Sequence, residues 1–295
     1  MNTVVQPMSA AGRAKGARIG IMLCLLSMFI FAAQDGITKT LVRDLPVAQL
    51  VMVRYWVFLL FALCFVRIQG GVGNALKTAH PWLQMARSLL GVFEIVVFGL
   101  ALRYLGLAET HAIYAVFPLL TMVMAAVLLR ERLNLRQCLA GMIGFVGTLI
   151  ILKPGMGVFS PASLIPLLAA LMFACFSVLT RKISSADSFG TNVLYMGFWG
   201  AVASTAIGLP QWVTPTAQQA VLMLVLSVSG VMAQMLLVQA LKYTAAITLQ
   251  PFNYSLLVFA SVLGVVWFGE ALETTLVVGA LLVVLGGLYS LRRYR

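Results

Sequence analysis

Residues 219–241 read "QAVLMLVLSVSGVMAQMLLVQAL", without a single Asp, Glu, Lys or Arg. An α-helix rises about 1.5 Å per residue, so a run of about 20 apolar residues matches the roughly 30 Å hydrocarbon core of a bilayer. Nine further runs of similar character lie at 19–41, 47–68, 82–104, 108–129, 136–152, 162–182, 190–209, 245–268 and 272–291. None alternates strictly between apolar and polar, which excludes a transmembrane β-barrel. The chain is 62% hydrophobic and 9% charged, against about a quarter charged in soluble domains. These features predict an all-α integral membrane protein of ten transmembrane helices. The first run is too long for the apolar region of a signal peptide and lacks a small-residue cleavage site, so it reads as a retained span. Residues 1–18 are polar and predicted to be a disordered cytoplasmic tail. The longest link, Gln69 to Pro81, leaves no room for a soluble domain.

The net charge is +12. On a soluble protein that would suggest nucleic acid; on a chain that lives in a lipid bilayer it reports orientation, because Lys and Arg collect on the cytoplasmic side. With the N-terminus inside, fifteen bases fall inside, and only Lys39, Arg43, Arg103 and Lys153 fall outside, while Arg54 lies within a span. Both termini are therefore predicted to be cytoplasmic, which requires an even number of spans. Cys24, Cys64, Cys138 and Cys175 all sit in apolar runs without a Cys-x-x-Cys pair, so they read as packing residues.

"ALRYLGL" at 101–107 returns as "ALKYTAA" at 240–246. The same shift of 139 places Ser88 on Ser227, Gly91 on Gly230, Tyr104 on Tyr243, Glu131 on Glu270 and Gly147 on Gly286. After a small gap, "FAAQDGITK" (31–39) also lies on "FACFSVLTR" (173–181). The chain thus reads as two five-helix repeats, 19–152 and 162–291. Five is odd, so the second copy enters the membrane inverted. Inverted repeats mark secondary transporters with a site near the midplane, although channels and structural membrane proteins carry them as well.

A span ending "LLRERL" (128–133) and its copy ending "WFGEAL" (267–272), set in two inverted five-helix repeats, resemble the drug/metabolite transporter superfamily, EamA type. The resemblance covers the chain from about residue 19 and is most like the YddG-type amino-acid exporters of bacterial inner membranes. It implies ten helices around a central cavity and export of amino acids, aromatic or otherwise neutral, or of related metabolites. A drug/metabolite or nucleoside-type carrier of the same fold is the alternative. The first repeat departs from the symmetry of the turn, with Arg130 where the second has Gly269.

Charges inside a bilayer cost at least about 2.5 kcal/mol each and need partners or a wet cavity. Asp35, with Lys39 one turn on, reads either as a self-satisfied pair near the outer interface or, with Gln34 and Thr38, as a polar cavity face. Glu94 lies midway along the third span. It has three readings: a structural ion pair with Arg54, a proton-coupling carboxylate, or a contact to a substrate amino group. In the fourth span His111, Tyr114 and Pro118 form one stripe, and Pro118 frees the carbonyl of Tyr114. In the ninth, Gln250, Pro251, Asn253 and Tyr254 occupy the corresponding frame, and Gln234 joins them from the eighth. Paired polar, proline-bearing helix starts point to a transport site. Amides with aromatics suit a neutral or zwitterionic substrate. The absence of a cluster of intramembrane bases speaks against phosphorylated ones. The candidate substrate-binding residues are therefore Gln34, Asp35, Glu94, His111, Tyr114, Gln234, Gln250, Asn253 and Tyr254.

Glycines in the fifth and tenth spans read as packing within a monomer, with a dimer interface as the alternative. His80 and His111 are the only histidines, and no catalytic, metal-ligating or nucleotide-binding motif is present. An enzyme is not expected, and neither is a cofactor, a metal or a nucleic-acid partner. A channel and an intramembrane enzyme remain the less favoured readings.

Overall fold

The computed structural model describes residues 10–42, 44–104, 107–152, 160–268 and 274–291. The described residues form helices and turns: α1 (Ala10–Leu41), α2 (Val47–Ile68), α3 (Val72–Ala75), α4 (Pro81–Tyr104), α5 (Leu107–Tyr114), α6 (Phe117–Leu128), α7 (Leu135–Leu152), α8 (Leu164–Ser184), α9 (Phe189–Gly208), α10 (Ala217–Tyr243), α11 (Ala246–Asn253), α12 (Ser255–Phe268) and α13 (Thr274–Leu291). Seven helices are long and apolar enough to cross a membrane, and α6 and residues Val277–Ser290 of α13 are shorter apolar helices.

Large apolar side chains point outward while polar ones point in. Leu60, Val127 and Val266 are each about two-thirds exposed or more, whereas Gln84, Arg87, Ser88 and Glu94 are buried. In water such a surface would aggregate; in lipid it is the solvated face.

Three expectations need correction. The first helix starts at Ala10, so residues 10–18, predicted to be a disordered tail, are helical; their Ala, Arg and Lys residues favour helix strongly enough to extend the span. The predicted continuous spans 108–129 and 245–268 are each broken, between α5 and α6 and between α11 and α12. Pro118 has no N–H to give Tyr114's carbonyl, and it sits instead in the first turn of α6, where that lack is harmless. Pro251 lies inside α11, which stops two residues later at Asn253. The long link also contains a short helix, α3.

The packing partners come in matched pairs. α1 packs on α10 as α8 packs on α4, and α1 meets α11 and α12 as α8 meets α5 and α6. Likewise α2 touches α10 as α9 touches α4, while α2 with α9 and α7 with α13 each join an element to its own counterpart in the other half. The last is the closest. A Cβ on Gly147 would lie 2.7 Å from the Gly279 carbonyl oxygen, and one on Gly279 would lie 2.5 Å from that of Gly147. The glycines of these two helices thus face each other within the chain, where close approach replaces the hydrophobic driving force that lipid cannot supply.

Hydrogen bonds identify the two ends of the bundle. At one, Gln49 exchanges hydrogen bonds with the backbone of Val213, and Gln219 donates to Asp44. At the other, Glu131 accepts from Arg181 at 3.2 Å and from the N–H groups of Ala246 and Ile247, capping α11. Arg181 also donates to the carbonyls of Leu241 and Lys242. At this same end Asp187 accepts from Thr78, the Ala79 N–H and Gln84. Gln84 also donates to Asn192, and Arg87 donates to Gln84 and to the Asn192 carbonyl.

Candidate functional site

Inside the bundle, α2, α4, α8, α9 and α10 enclose a cavity lined by Arg54, Tyr55, Glu94, Phe173, Phe176 and Gln234, among others. Glycines make it possible. A Cβ on Gly230 would sit 2.6 Å from Arg54 Nε, and one on Gly200 would overlap the Tyr55 ring. The α2 face formed by Val51, Tyr55 and Phe58 is buried against Val92, Phe176 and Val193, which turns the neighbouring Arg54 toward α10 and α1.

Arg54's guanidinium lies 5.9 Å from the centroid of the Phe31 ring, a cation–π contact. No described residue accepts a hydrogen bond from it or forms an ion pair with it. Glu94 is 7% exposed, and its Oε1 accepts the Tyr114 hydroxyl at 2.7 Å. Its Oε2 takes no hydrogen bond from any described residue. The structural ion pair between Glu94 and Arg54 is therefore not formed: their helices touch, yet the two groups face one cavity unpaired because Glu94 is drawn to Tyr114 on α5. Rings of Phe98, Phe117 and Phe173, with centroids at 4.8, 5.1 and 6.1 Å, fix Tyr114 from three other helices.

The other sequence-predicted residues divide. Gln234 lines the cavity, and its Nε2 is buried without a partner, as is Nε2 of Gln34 on α1, one turn from Phe31. His111 packs edge-on against Phe98 at 5.2 Å. Gln250 and Asn253 lie away from the cavity lining in a closed chain. Gln250 donates to the Ala246 carbonyl, Asn253 donates to Gln250, and Cys24 donates to Asn253. Tyr254 is buried against Gly144 and Phe145 of α7, and its hydroxyl has no partner among the described residues. The side chains of Asp35, Lys39, Arg103 and Glu109, and the whole of Glu270, lie outside the described residues.

Sequence reasoning treated Arg54 only as a partner for Glu94 and passed over Tyr55, Phe173 and Phe176. An arginine within a span was the available signal for the first; nothing in an apolar run separates cavity aromatics from packing aromatics.

The cavity holds about 30 Å³, room for one water. Along three of these helices, α2, α9 and α10, a larger cleft of about 650 Å³ lies at the end that carries the α2 C-terminus. Its walls include Phe65 of α2 and Phe189 of α9, each about two turns beyond a cavity residue, and Met235 and Gln239 of α10, which begin beside Gln234.

The EamA-like transporter family matches the chain twice, over residues 18–153 and 160–292. An S-adenosylmethionine uptake transporter of Rickettsia bellii is 28% identical over 90% of this chain and 91% of its own. A riboflavin transporter of Vibrio cholerae is 29% identical over 90% of each chain. A pseudopaline exporter of Pseudomonas aeruginosa is 24% identical over 90% of this chain and 93% of its own. None of these names is that of an amino-acid exporter, the narrower likeness expected from the sequence. A solved crystal structure superposes with a TM-score of 0.79 at 19% identity, covering 95% of this chain and 98% of the other, and shares the fold. With its inside-out surface, small cavity and two family matches, this chain is a multi-pass membrane protein of the EamA-like transporter family, a transporter and not an enzyme.

Proposed function

We propose that the chain is a secondary transporter of the bacterial inner membrane that carries a small organic metabolite through the central cavity by alternating access. It is built as two inverted five-helix repeats, 19–152 and 162–291. Counting α5 with α6, and α11 with α12, as one broken crossing each gives ten crossings. The matched packing pairs support that count, since exchanging the two halves maps α1–α10 onto α8–α4, α2–α10 onto α9–α4, and α1 with α11 and α12 onto α8 with α5 and α6. Broken helices at matching places in the two halves are a transporter feature. Both termini are then cytoplasmic. In support, Lys77, Arg130, Arg132, Arg181, Lys182 and Lys242 gather near the end joined by Glu131 and Asp187.

The observation that carries the mechanism is the small cavity beside a larger cleft. A space that holds one water cannot conduct a metabolite as a static pore, so the helices must separate for substrate to enter. Names of relatives and the sequence together define the substrates to try: S-adenosylmethionine, riboflavin, phenylalanine and tryptophan. In proteoliposomes, at least one labelled compound is expected to enter saturably, and faster when the same unlabelled compound is inside. Entry that is linear in concentration and indifferent to the internal pool would mean a channel. No entry of any of the four would remove the reading.

A further inference from the structure

We propose that Arg54 and Glu94 together read an α-amino-acid group, Arg54 taking the carboxylate and Glu94 the ammonium, so that the substrates are metabolites bearing this group beside an apolar or flat ring. The proposal rests on the transport reading above and deepens it.

An unpaired guanidinium in a membrane span is costly, and the Phe31 ring offsets only part of that cost. What Arg54 lacks is an acceptor of planar, bidentate shape, which a carboxylate supplies. Two more buried donors lack acceptors, one of them on the same cavity wall. Gln234 Nε2 is on the cavity wall and Gln34 Nε2 is on the helix that carries Phe31, and both residues are more than nine-tenths buried. Buried donors without partners are rare in native proteins. Arg54 and Gln234 thus turn unpaired donors to one cavity, a setting that a carboxylate would satisfy.

Glu94 then limits which anion. A phosphate or dicarboxylate drawn to Arg54 would meet a second negative group in the same narrow space. A monocarboxylate with an adjacent ammonium meets both: the ammonium can donate to Oε2, the oxygen that no described residue uses, while Tyr114 holds Oε1. The remaining wall is apolar and largely aromatic, with Ile95 and Met196 beside the rings. Phe173 and Phe176 are stacked with centroids 5.9 Å apart at 29°, and Tyr55 lies between Gly91 and Gly200. This surface accepts a flat or apolar group. Riboflavin has the ring but neither charge, whereas S-adenosylmethionine and the aromatic amino acids have all three.

The test is inhibition of uptake in proteoliposomes of the full chain by two matched sets. One is phenylalanine, its methyl ester and 3-phenylpropanoate; the other is S-adenosylmethionine, its methyl ester and its decarboxylated form. In the wild type the intact amino acid of at least one set is expected to inhibit roughly 10- to 100-fold better than the members that lack one charge, the range of one charge-assisted contact. Arg54→Gln is expected to raise the inhibition constant of the intact compound by that factor and to leave its ester unchanged. Arg54→Lys should recover part of the loss. Ligand-induced shifts in melting temperature on the purified variants give the same ranking without transport and show that each variant is folded. Equal inhibition by acid and ester in both sets, or equal loss of both in Arg54→Gln, overturns the proposal. Saturable, trans-accelerated riboflavin entry without inhibition by either intact amino acid overturns it too, while leaving the transport reading standing.

Discussion

Asp187 sits between α8 and α9 and joins them to the segment before α4. Burial pushes its carboxyl up, but hydrogen bonds from Thr78, the Ala79 N–H and Gln84 outweigh that, with His80 nearby, and hold it below the ordinary aspartate value. A carboxyl whose folded value is depressed stabilises the protein fully above its unfolded value, near 3.9 for aspartate, and loses that contribution as pH falls through the folded value. Asp187→Asn is therefore expected to lower stability at neutral pH by about 1–3 kcal/mol, the range for hydrogen bonds to a charged group. It should also flatten the acid limb of a melting-temperature profile taken from pH 7 to pH 3. An unchanged acid limb would show that another group governs it. At this scale the sequence was informative only where a residue was out of place for its surroundings. Glu94, Gln34 and Gln234 stood out because polar groups in lipid need a reason, and all three are buried, Glu94 and Gln234 on the cavity wall. Gln250 and Asn253 stood out equally, yet they satisfy one another and Cys24. Hydrogen-bond closure of that kind depends on which helices meet, and no single sequence carries it.

Between elements, the turn from α6 to α7 shows how far symmetry in the sequence can be read. Among the described residues Arg130 is the one non-glycine with a positive φ, 53°. Its partner in the shifted frame is Gly269, the residue suited to that conformation. The turn is held there because the following Glu131 must reach Arg181 and the start of α11. Arg130 is exposed, so Arg130→Gly is expected to relieve strain and raise stability by about 1 kcal/mol, seen as a higher melting temperature in detergent. A fall would mean that the arginine side chain holds something that the strain argument ignores. Helix positions were legible because 20-residue apolar runs have few alternatives: 47–68 matches α2, and 82–104 matches α4 to within a residue. The breaks were not. Pro118 and Pro251 announce a disturbance, but a kinked helix and two separate helices have the same hydropathy. The choice falls to packing, with α5 against α8 and α7, and α11 against α6, α1 and α13.

For the whole molecule, the proposed inverted repetition, a small cavity and a cleft that shares α2, α9 and α10 with it combine into one claim: the cavity that Arg54 and Glu94 line is reached from each side of the membrane in turn. The proposed topology is read from the distribution of bases and from the repeat, and the family matches the chain twice over corresponding residues. The cavity was not legible in the sequence, because it forms where glycines of α9 and α10 let Tyr55 and Arg54 of α2 approach, and glycines are common in every span. The most direct test places one cysteine at Ile95, a cavity-lining residue of α4, in a chain whose Cys24, Cys64, Cys138 and Cys175 are replaced by serine or alanine. A membrane-impermeant thiol reagent is applied from one face or the other of oriented membranes, with and without a transported compound. The expected result is labelling of Ile95→Cys from both faces, slowed when substrate occupies the cavity. Labelling from one face only, unaffected by substrate, would contradict alternating access through this cavity.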